Sequence, residues 1–342
     1  MNLYAYRLPG TTEIKSGSSE RLHRGFCCGG FAVVPFDGSI DGIFTIPADT
    51  EGVGALAALQ SPDSHEVCAT DSDDSRTLYP FPAESTSPDE HGQMVRTIVE
   101  SIKSGQLTKC VASRVITDGS AIDVQATFHA LCRAYPDAFV FTFHTPETGT
   151  WIGASPETLL IKEGRSLRTM SLAGTRPSGT GGEWDEKNIG EQRIVTDYIC
   201  DTLRQCGLDP EEQPTTTRRA GPVEHIVTEI SATLPENGNA AALEAAMRLS
   251  PTPALAGFPK QSAIGMIERI EKHQRGYYGG FCGPIADNGD FRFYVNLRSA
   301  RIKNARYCLF AGGGIVADSE PSDEWEETRR KSATLLEHLI TK

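Results

Sequence analysis

No Cys-x-x-Cys pair occurs in this 342-residue chain, although nine cysteines are scattered along it at positions 27, 28, 68, 110, 132, 200, 206, 282 and 308. Zinc ribbons and redox dithiols need that spacing, so both are excluded, and the cysteines read as buried or free thiols in a reducing compartment. Apolar runs of about 18 residues, the length that spans a bilayer as a helix, are also missing. The start, Met1-Asn-Leu-Tyr-Ala-Tyr-Arg-Leu-Pro, has no basic segment followed by an apolar core, and a cytoplasmic protein without membrane contact is the expectation. Basic runs are too short to offset a formal charge of −12, which argues against a general nucleic-acid or acidic-membrane binder. An anionic substrate would therefore need local Arg and Lys. No repeat of 20 to 50 residues is visible.

What is present reads as a large α+β protein. Residues 24 to 36 and 40 to 47 have strand character, and the stretch from Ser61 to Glu90, rich in Ser, Asp, Pro and Glu, reads as loop. A helix is predicted from Pro88 to Ser104. Ser87 is its N-cap, Pro88 its first residue, and Met94, Val95, Ile98, Val99 and Ile102 its inner side. A second helix runs from about Asp185 to Cys206, with Ile194, Val195, Tyr198, Ile199 and Leu203 inward. From Leu107 onward the strands and helices lack the regular beat of a parallel doubly wound sheet, and Asp287-Asn-Gly289 is a strong hairpin signal. The expectation is one large domain of mixed or antiparallel sheets surrounded by helices, with residues 1–90 a strand-rich part packed onto it.

Residues Ala311 to Lys331 read as strand, glycine turn and charged helix. Gly312, Gly313 and Gly314 would let backbone approach a ligand, and a helix starting near Ser322 would put Glu324, Glu327 and Lys331 on one face. Two carboxylates there suit a hard cation, although an exposed Glu-to-Lys pair is the commoner meaning of such spacing. In the strand Thr108 to Ile116, Lys109 shares a face with Val111, Ser113 and Val115. Desolvation there favours a neutral amine able to act as a base, against the alternative of a strand-end lysine reaching water. Glu157 follows Pro156 in register with Leu159 and Ile161, where burial raises a carboxyl pKa and keeps a proton available. Glu191 lies in the first half of the second helix. Residues Phe291 to Ile302 alternate as one long strand, and Arg298 on its polar side suits a carboxylate.

Several motifs occur in one order: Lys-Cys-Val-Ala-Ser-Arg (109–114), Gly-Ala-Ser-Pro-Glu (153–157), Leu-Ala-Gly-Thr (172–175), Glu-Lys-Asn-Ile-Gly-Glu (186–191), Pro-Thr-Pro-Ala-Leu-Ala-Gly-Phe-Pro (251–259), Tyr-Gly-Gly (278–280), Arg298, and Ala-Gly-Gly-Gly-Ile-Val to Glu-Trp-Glu-Glu-Thr (311–328). In this order they resemble the chorismate-utilising enzymes, and among them the isochorismate synthases of menaquinone and siderophore pathways. The resemblance implies their fold, with 91–342 as the chorismate-binding catalytic region. It also implies Lys109 as the base that activates water and Glu157 as the acid that protonates the departing ring hydroxyl. Glu191 and Glu327 match carboxylates that hold Mg²⁺, with Glu324 a water-mediated contributor. Gly174, Thr175, Arg298, Gly312 and Lys331 match groups that bind chorismate.

Branch positions point the same way. Members making aminodeoxychorismate carry a nucleophilic lysine where this chain has Ala173. Ammonia-using members commonly lack a lysine at position 109 and have Thr in the slot of Ala254, so Lys109 with Ala254 fits water as nucleophile and no glutamine amidotransferase subunit. Ser250 departs from the His of isochorismate-forming relatives. A monomer is expected. Salicylate synthases, which go on to lose pyruvate, share the lysine and the glutamates. A non-catalytic anion-binding module is disfavoured, because the glycines lack the Gly-x-x-x-x-Gly-Lys pattern and stand about eight residues from the next helix.

Overall fold

The computed structural model describes residues 1–52, 78–220, 223–303 and 305–342. Cys68 and the first part of the stretch read as loop from Ser61 lie outside the described residues. Along the chain the first elements are β1 (Asn2–Arg7), β2 (Ile14–Ser19), β3 (His23–Arg24), β4 (Gly30–Val34), β5 (Phe44–Pro47), β6 (Thr50–Glu51), α1 (Pro88–Lys103), β7 (Lys109–Asp118), α2 (Val124–Ala134), β8 (Phe139–Thr145) and β9 (Gly149–Ser155). The middle of the chain adds β10 (Thr158–Glu163), β11 (Ser166–Pro177), α3 (Glu186–Gln205), β12 (Pro210–Glu212), β13 (Thr216–Ala220), β14 (Val223–Thr233) and α4 (Asn239–Leu249). Then come β15 (Gly257–Phe258), α5 (Lys260–Ile270), β16 (Phe281–Ile285), β17 (Phe291–Val295), β18 (Ser299–Lys303), β19 (Arg306–Ile315) and α6 (Pro321–Leu336).

The described residues group into two compact units. The first comprises Met1–Glu157, Pro251–Pro284 and Tyr294–Lys342. It holds a nine-stranded sheet of order β15-β7-β19-β18-β9-β8-β1-β2-β6, in which β7 and β19 pair antiparallel from Asp118↔Tyr307 to Cys110↔Ile315. One face of this sheet packs on helices. Ala154, Ala300, Leu309 and Ala311 meet Phe128 and Leu131 of α2 and Leu335 of α6, while Cys110, Ala112 and Ile315 meet Val95 and Ile98 of α1 and Ala263 and Met266 of α5. The other face carries a stack in which Trp151 lies against Phe143 and Phe310, and Phe310 against Tyr278. The α1 helix forms as predicted: Ser87 accepts from the Glu90 backbone N–H while the Glu90 carboxylate accepts from Ser87, and Pro88 opens the helix.

The second unit comprises Thr158–Ser250 and Ile285–Phe293. Its strands run β12-β14-β11-β10-β17, with β13 also on β14. The Asp287-Asn288-Gly289 turn closes as expected, the Gly289 N–H donating to Ala286 and the Ala286 N–H to Asp290. The α+β class with antiparallel pairing is what the structure shows.

Three sequence expectations need correction. Residues 291–302 are two strands, because Asn296–Arg298 breaks the run and Arg298 adopts φ +46°. On its polar side Tyr294 and Asn296 are buried. In α3, Ile194 is 41% exposed, and the polar Gln192 and Thr196 take the inner positions, bonded to Ser171 of β11. Helix α6 begins at Pro321 with Glu320 as N-cap, two residues earlier than a Ser322 cap would allow, since proline suits the first helical residue.

Candidate active site

The largest correction concerns Gly312, Gly313 and Gly314. They form no turn; they lie inside β19, opposite Ser113, Ala112 and Val111 of β7. None of the three has a positive φ, so space, not backbone freedom, explains them. A Cβ on Gly312 would stand 2.9 Å from the Tyr278 hydroxyl, one on Gly313 2.9 Å from Glu324 Oε2, and one on Gly314 2.8 Å from Lys109 Cε. The run of glycines is therefore a bare strip of sheet against which three polar side chains lie. By strand alternation, Gly312 and Gly314 share the face of Lys109, and Gly313 faces α6.

Lys109 opens β7 and is half-buried. The alternation expected for this strand holds, but both faces are covered: Arg114, on the opposite face, is only 4% exposed, lies 4.0 Å over the Trp325 ring and donates to Thr328 Oγ1. Glu157 stands just after β9, where Pro156 ends the strand. Its backbone is pinned, the N–H donating to Ser155 Oγ and the carbonyl accepting from the Val295 N–H at 3.0 Å. Desolvation raises the Glu157 pKa to about 7, opposed by a hydrogen bond from Thr252 and by the charge of Lys109. Thr252 Oγ1 donates to Glu157 Oε1 at 3.3 Å. The amine and the carboxyl singled out in the sequence are thus electrostatic neighbours, and the carboxyl titrates where a general acid is useful near neutral pH.

Ala254 lies in the turn that follows Thr252, and it is exposed, so it is not a core residue. The β18–β19 pairing ends at Ala300↔Leu309, which leaves the Gly312 carbonyl free to accept from Lys331 Nζ at 3.0 Å. Lys331 also pairs with Glu327 Oε1 at 2.6 Å, the helical i,i+4 pair that the spacing allowed. Glu324, on the same helix, is 8% exposed; Ser319 donates to its Oε1, and its Oε2 is buried without a partner. Burial raises the Glu324 pKa, with Glu327 adding to the shift. Among the described residues no three His, Cys, Asp or Glu side chains converge as a metal cluster.

Gly174, Thr175 and Glu191 belong to the second unit. Gly174 has φ +67° at a bulge between Ala173 and Thr175 in β11, a conformation that calls for glycine. Thr175 pairs with His225 of β14, and Glu191 is an exposed residue of α3.

Two groups escaped the sequence reading. Tyr278, inside the quoted Tyr-Gly-Gly motif, is 2% exposed; burial pushes its hydroxyl up to about 12, with the Arg275 cation opposing. Glu271, His273 and Arg275 form a buried cluster whose only sequence signal is a charged stretch directly after an amphipathic helix.

The sheet, with a desolvated carboxyl that feels the charge of Lys109, belongs to an α+β protein with antiparallel pairing. The chain belongs to the chorismate binding enzyme family, whose pattern matches residues 55–340. It is 31% identical over 270 residues to isochorismate synthase MenF of Bacillus subtilis, covering 75% of this chain and 57% of that protein. To isochorismate synthase EntC of Escherichia coli K12 it is 32% identical over 257 residues, covering 71% of this chain and 65% of that one. The chain thus spans less than two thirds of the length of both. The menaquinone-specific isochorismate synthase MenF of Escherichia coli shares the fold, with a TM-score of 0.78 at 23% identity over 99% of this chain and 89% of that one. Among the described residues no helix is long and apolar enough to cross a membrane.

Proposed function

We propose that this chain isomerises chorismate to isochorismate in a Mg²⁺-dependent reaction, for menaquinone or siderophore formation. The observation that carries the reading is the Glu157 carboxyl, hydrogen-bonded by Thr252, raised by burial to a pKa of about 7, and within electrostatic reach of Lys109. Lys109 takes a proton from water as its oxygen bonds to C2 of the ring. The ring double bonds shift, the C4–O bond breaks, and Glu157 protonates the departing hydroxyl, so the product is an isomer of the substrate. Arg298, Lys331 and the backbone at Gly312 bind the carboxylates and hydroxyl of chorismate, and Ala254 leaves room for water as nucleophile.

The chemistry on α6 fits a hard cation: a buried carboxylate oxygen of Glu324 has no protein partner, and Glu327 lies on the same helix. Glu327 is the proposed ligand on this helix. Bound Mg²⁺ would neutralise and orient a substrate carboxylate. The similarity to the two isochorismate synthases supports this substrate, and Ala173 and Ala254 support water over amine chemistry. We read the protein as an intracellular monomer that needs no amidotransferase subunit. Incubation with chorismate, with and without Mg²⁺, followed by chromatography, tests the reading. Isochorismate formed only with the metal supports it; salicylate with pyruvate would make the chain a salicylate synthase, and unchanged chorismate would refute both.

A further inference from the structure

Among the described residues, strand β7 has a strand neighbour on its outer side only at its start, where β15 pairs with Lys109 and Cys110. A buried strand edge cannot leave its N–H and C=O groups unmatched. The Val111 N–H finds the Ala256 carbonyl at 3.0 Å. The next two groups are matched by side chains: the Val111 carbonyl accepts from Arg275 Nη2 at 2.7 Å, and the Ser113 N–H donates to Glu271 Oε1 at 2.7 Å.

The Arg275 guanidinium makes four hydrogen bonds here. Beyond Val111, its Nη1 donates to the Leu255 carbonyl at 2.7 Å, and Nε and Nη2 grip the two Glu271 oxygens at 2.9 and 2.6 Å. Both side chains are almost inaccessible, at 1% and 2% exposed, and the guanidinium lies 4.4 Å over the Phe36 ring. His273, 5% exposed, bonds Ser113 Oγ through Nε2 at 2.9 Å from the same side. Leu255 closes the turn that begins at Thr252, since its N–H donates to the Thr252 carbonyl at 2.9 Å. One cation therefore touches both the strand that starts with Lys109 and the turn that presents Thr252 to Glu157.

We propose that Arg275 is a positioning residue for the acid–base pair: its fork sets the spacing of Lys109 and Glu157 by tying Val111 to Leu255, with Glu271 fixing the fork. The proposal rests on the roles given above to Lys109 and Glu157. Stability alone does not account for such a pair, because a buried ion pair gains little over well-packed apolar side chains. Geometry does, because only a planar group with several donors reaches two carbonyls and a carboxylate at once. The charged and titratable groups around Glu157 are Lys109 on β7 and Tyr278, with Glu271, His273 and Arg275 behind them.

The test is Arg275→Lys in the full chain, which keeps the charge and loses the fork, with Thr252→Val and the double variant beside it. Melting temperature, kcat, KM and the Glu157 titration, followed by ¹³C NMR of glutamate-labelled protein, are measured. Arg275→Lys is expected to lower kcat about 10- to 100-fold with little change in KM, as for a misplacement on the order of an ångström. The Glu157 pKa is expected to rise, because the Thr252 hydroxyl is no longer held against the carboxylate, and to rise no further in the double variant than in Thr252→Val. A lowered melting temperature with wild-type kcat and an unmoved Glu157 titration would reduce Arg275 to a structural clamp and overturn the proposal. If Arg275→Lys does not fold, a Glu157 titration unmoved by Thr252→Val overturns it equally. A Glu157 pKa that moves as expected in a protein that leaves chorismate unchanged supports the positioning role and sinks the functional reading instead.

Discussion

Gly314→Ala separates the position of Lys109 from the stability of the fold. The new Cβ would stand 2.8 Å from Lys109 Cε and 3.3 Å from Nζ, closer than side chains tolerate, so the lysine must move. Gly314 is not at positive φ, so alanine adopts its backbone without strain. The group displaced is the end of a flexible chain. Overpacking in a rigid core costs about 1–3 kcal/mol, and a lysine that can swing aside brings this to the low end. Replacing glycine also restricts the unfolded chain and returns about 0.4–1 kcal/mol. The two nearly cancel, and the melting temperature should move by only about 2 °C or less. Activity has no such compensation: an amine displaced by about 1 Å from its working position costs on the order of 10²-fold in kcat. Steady-state kinetics on chorismate together with calorimetry measures both. Gly312→Ala is the contrasting control, because its Cβ meets the hydroxyl of the rigid, buried Tyr278 at 2.9 Å and should cost stability as well. Wild-type kcat in a Gly314→Ala protein of wild-type stability would refute the placement of the Lys109 amine at the reacting centre.

Lys109→Ala and Glu157→Gln should each lower kcat by about 10²- to 10⁴-fold, and the double variant should fall little below the worse single one if the two act as a unit. The Glu157 carboxyl keeps its proton up to about pH 7 in the folded protein, so turnover should decline above that pH. Its unfolded pKa is about 4.3, so between the two values the unfolded chain binds fewer protons and wild-type stability falls as pH rises. Glu157→Gln should therefore melt higher than wild type at alkaline pH, a difference that shrinks on acidification; a pH-independent difference in melting would contradict the shifted carboxyl. Glu327→Ala should abolish Mg²⁺-dependent turnover with the fold intact by circular dichroism, and full activity at low Mg²⁺ would remove it from the metal site. Ala254→Thr should slow isochorismate formation without lowering the melting temperature, since the residue is exposed; unchanged kinetics would show that this position does not select the nucleophile.

Local chemistry was legible from the sequence. The Ser87/Glu90 box and Pro88 set the start of α1, Asp287-Asn-Gly289 set its hairpin, and Pro156 set the break before Glu157, because each acts over three or four residues. The order of the motifs sufficed for the family, and Lys109 and Glu157 stood out as charged groups on apolar strand faces. Tertiary structure decided the rest. Glycines can signal either freedom at a turn or room for a neighbour, and only the pairing of β19 with β7 shows that Gly312, Gly313 and Gly314 make room for Tyr278, Glu324 and Lys109. Apolar periodicity put Ile194 inside, whereas Gln192 and Thr196 are there, because hydrogen bonds to Ser171 match their polar groups. The bond from Thr252 to Glu157 joins residues 95 apart, and that from Arg275 to Val111 joins residues 164 apart. Periodicity extends over a few turns of chain and carries no information about such partners; they meet only because the sheet brings them together.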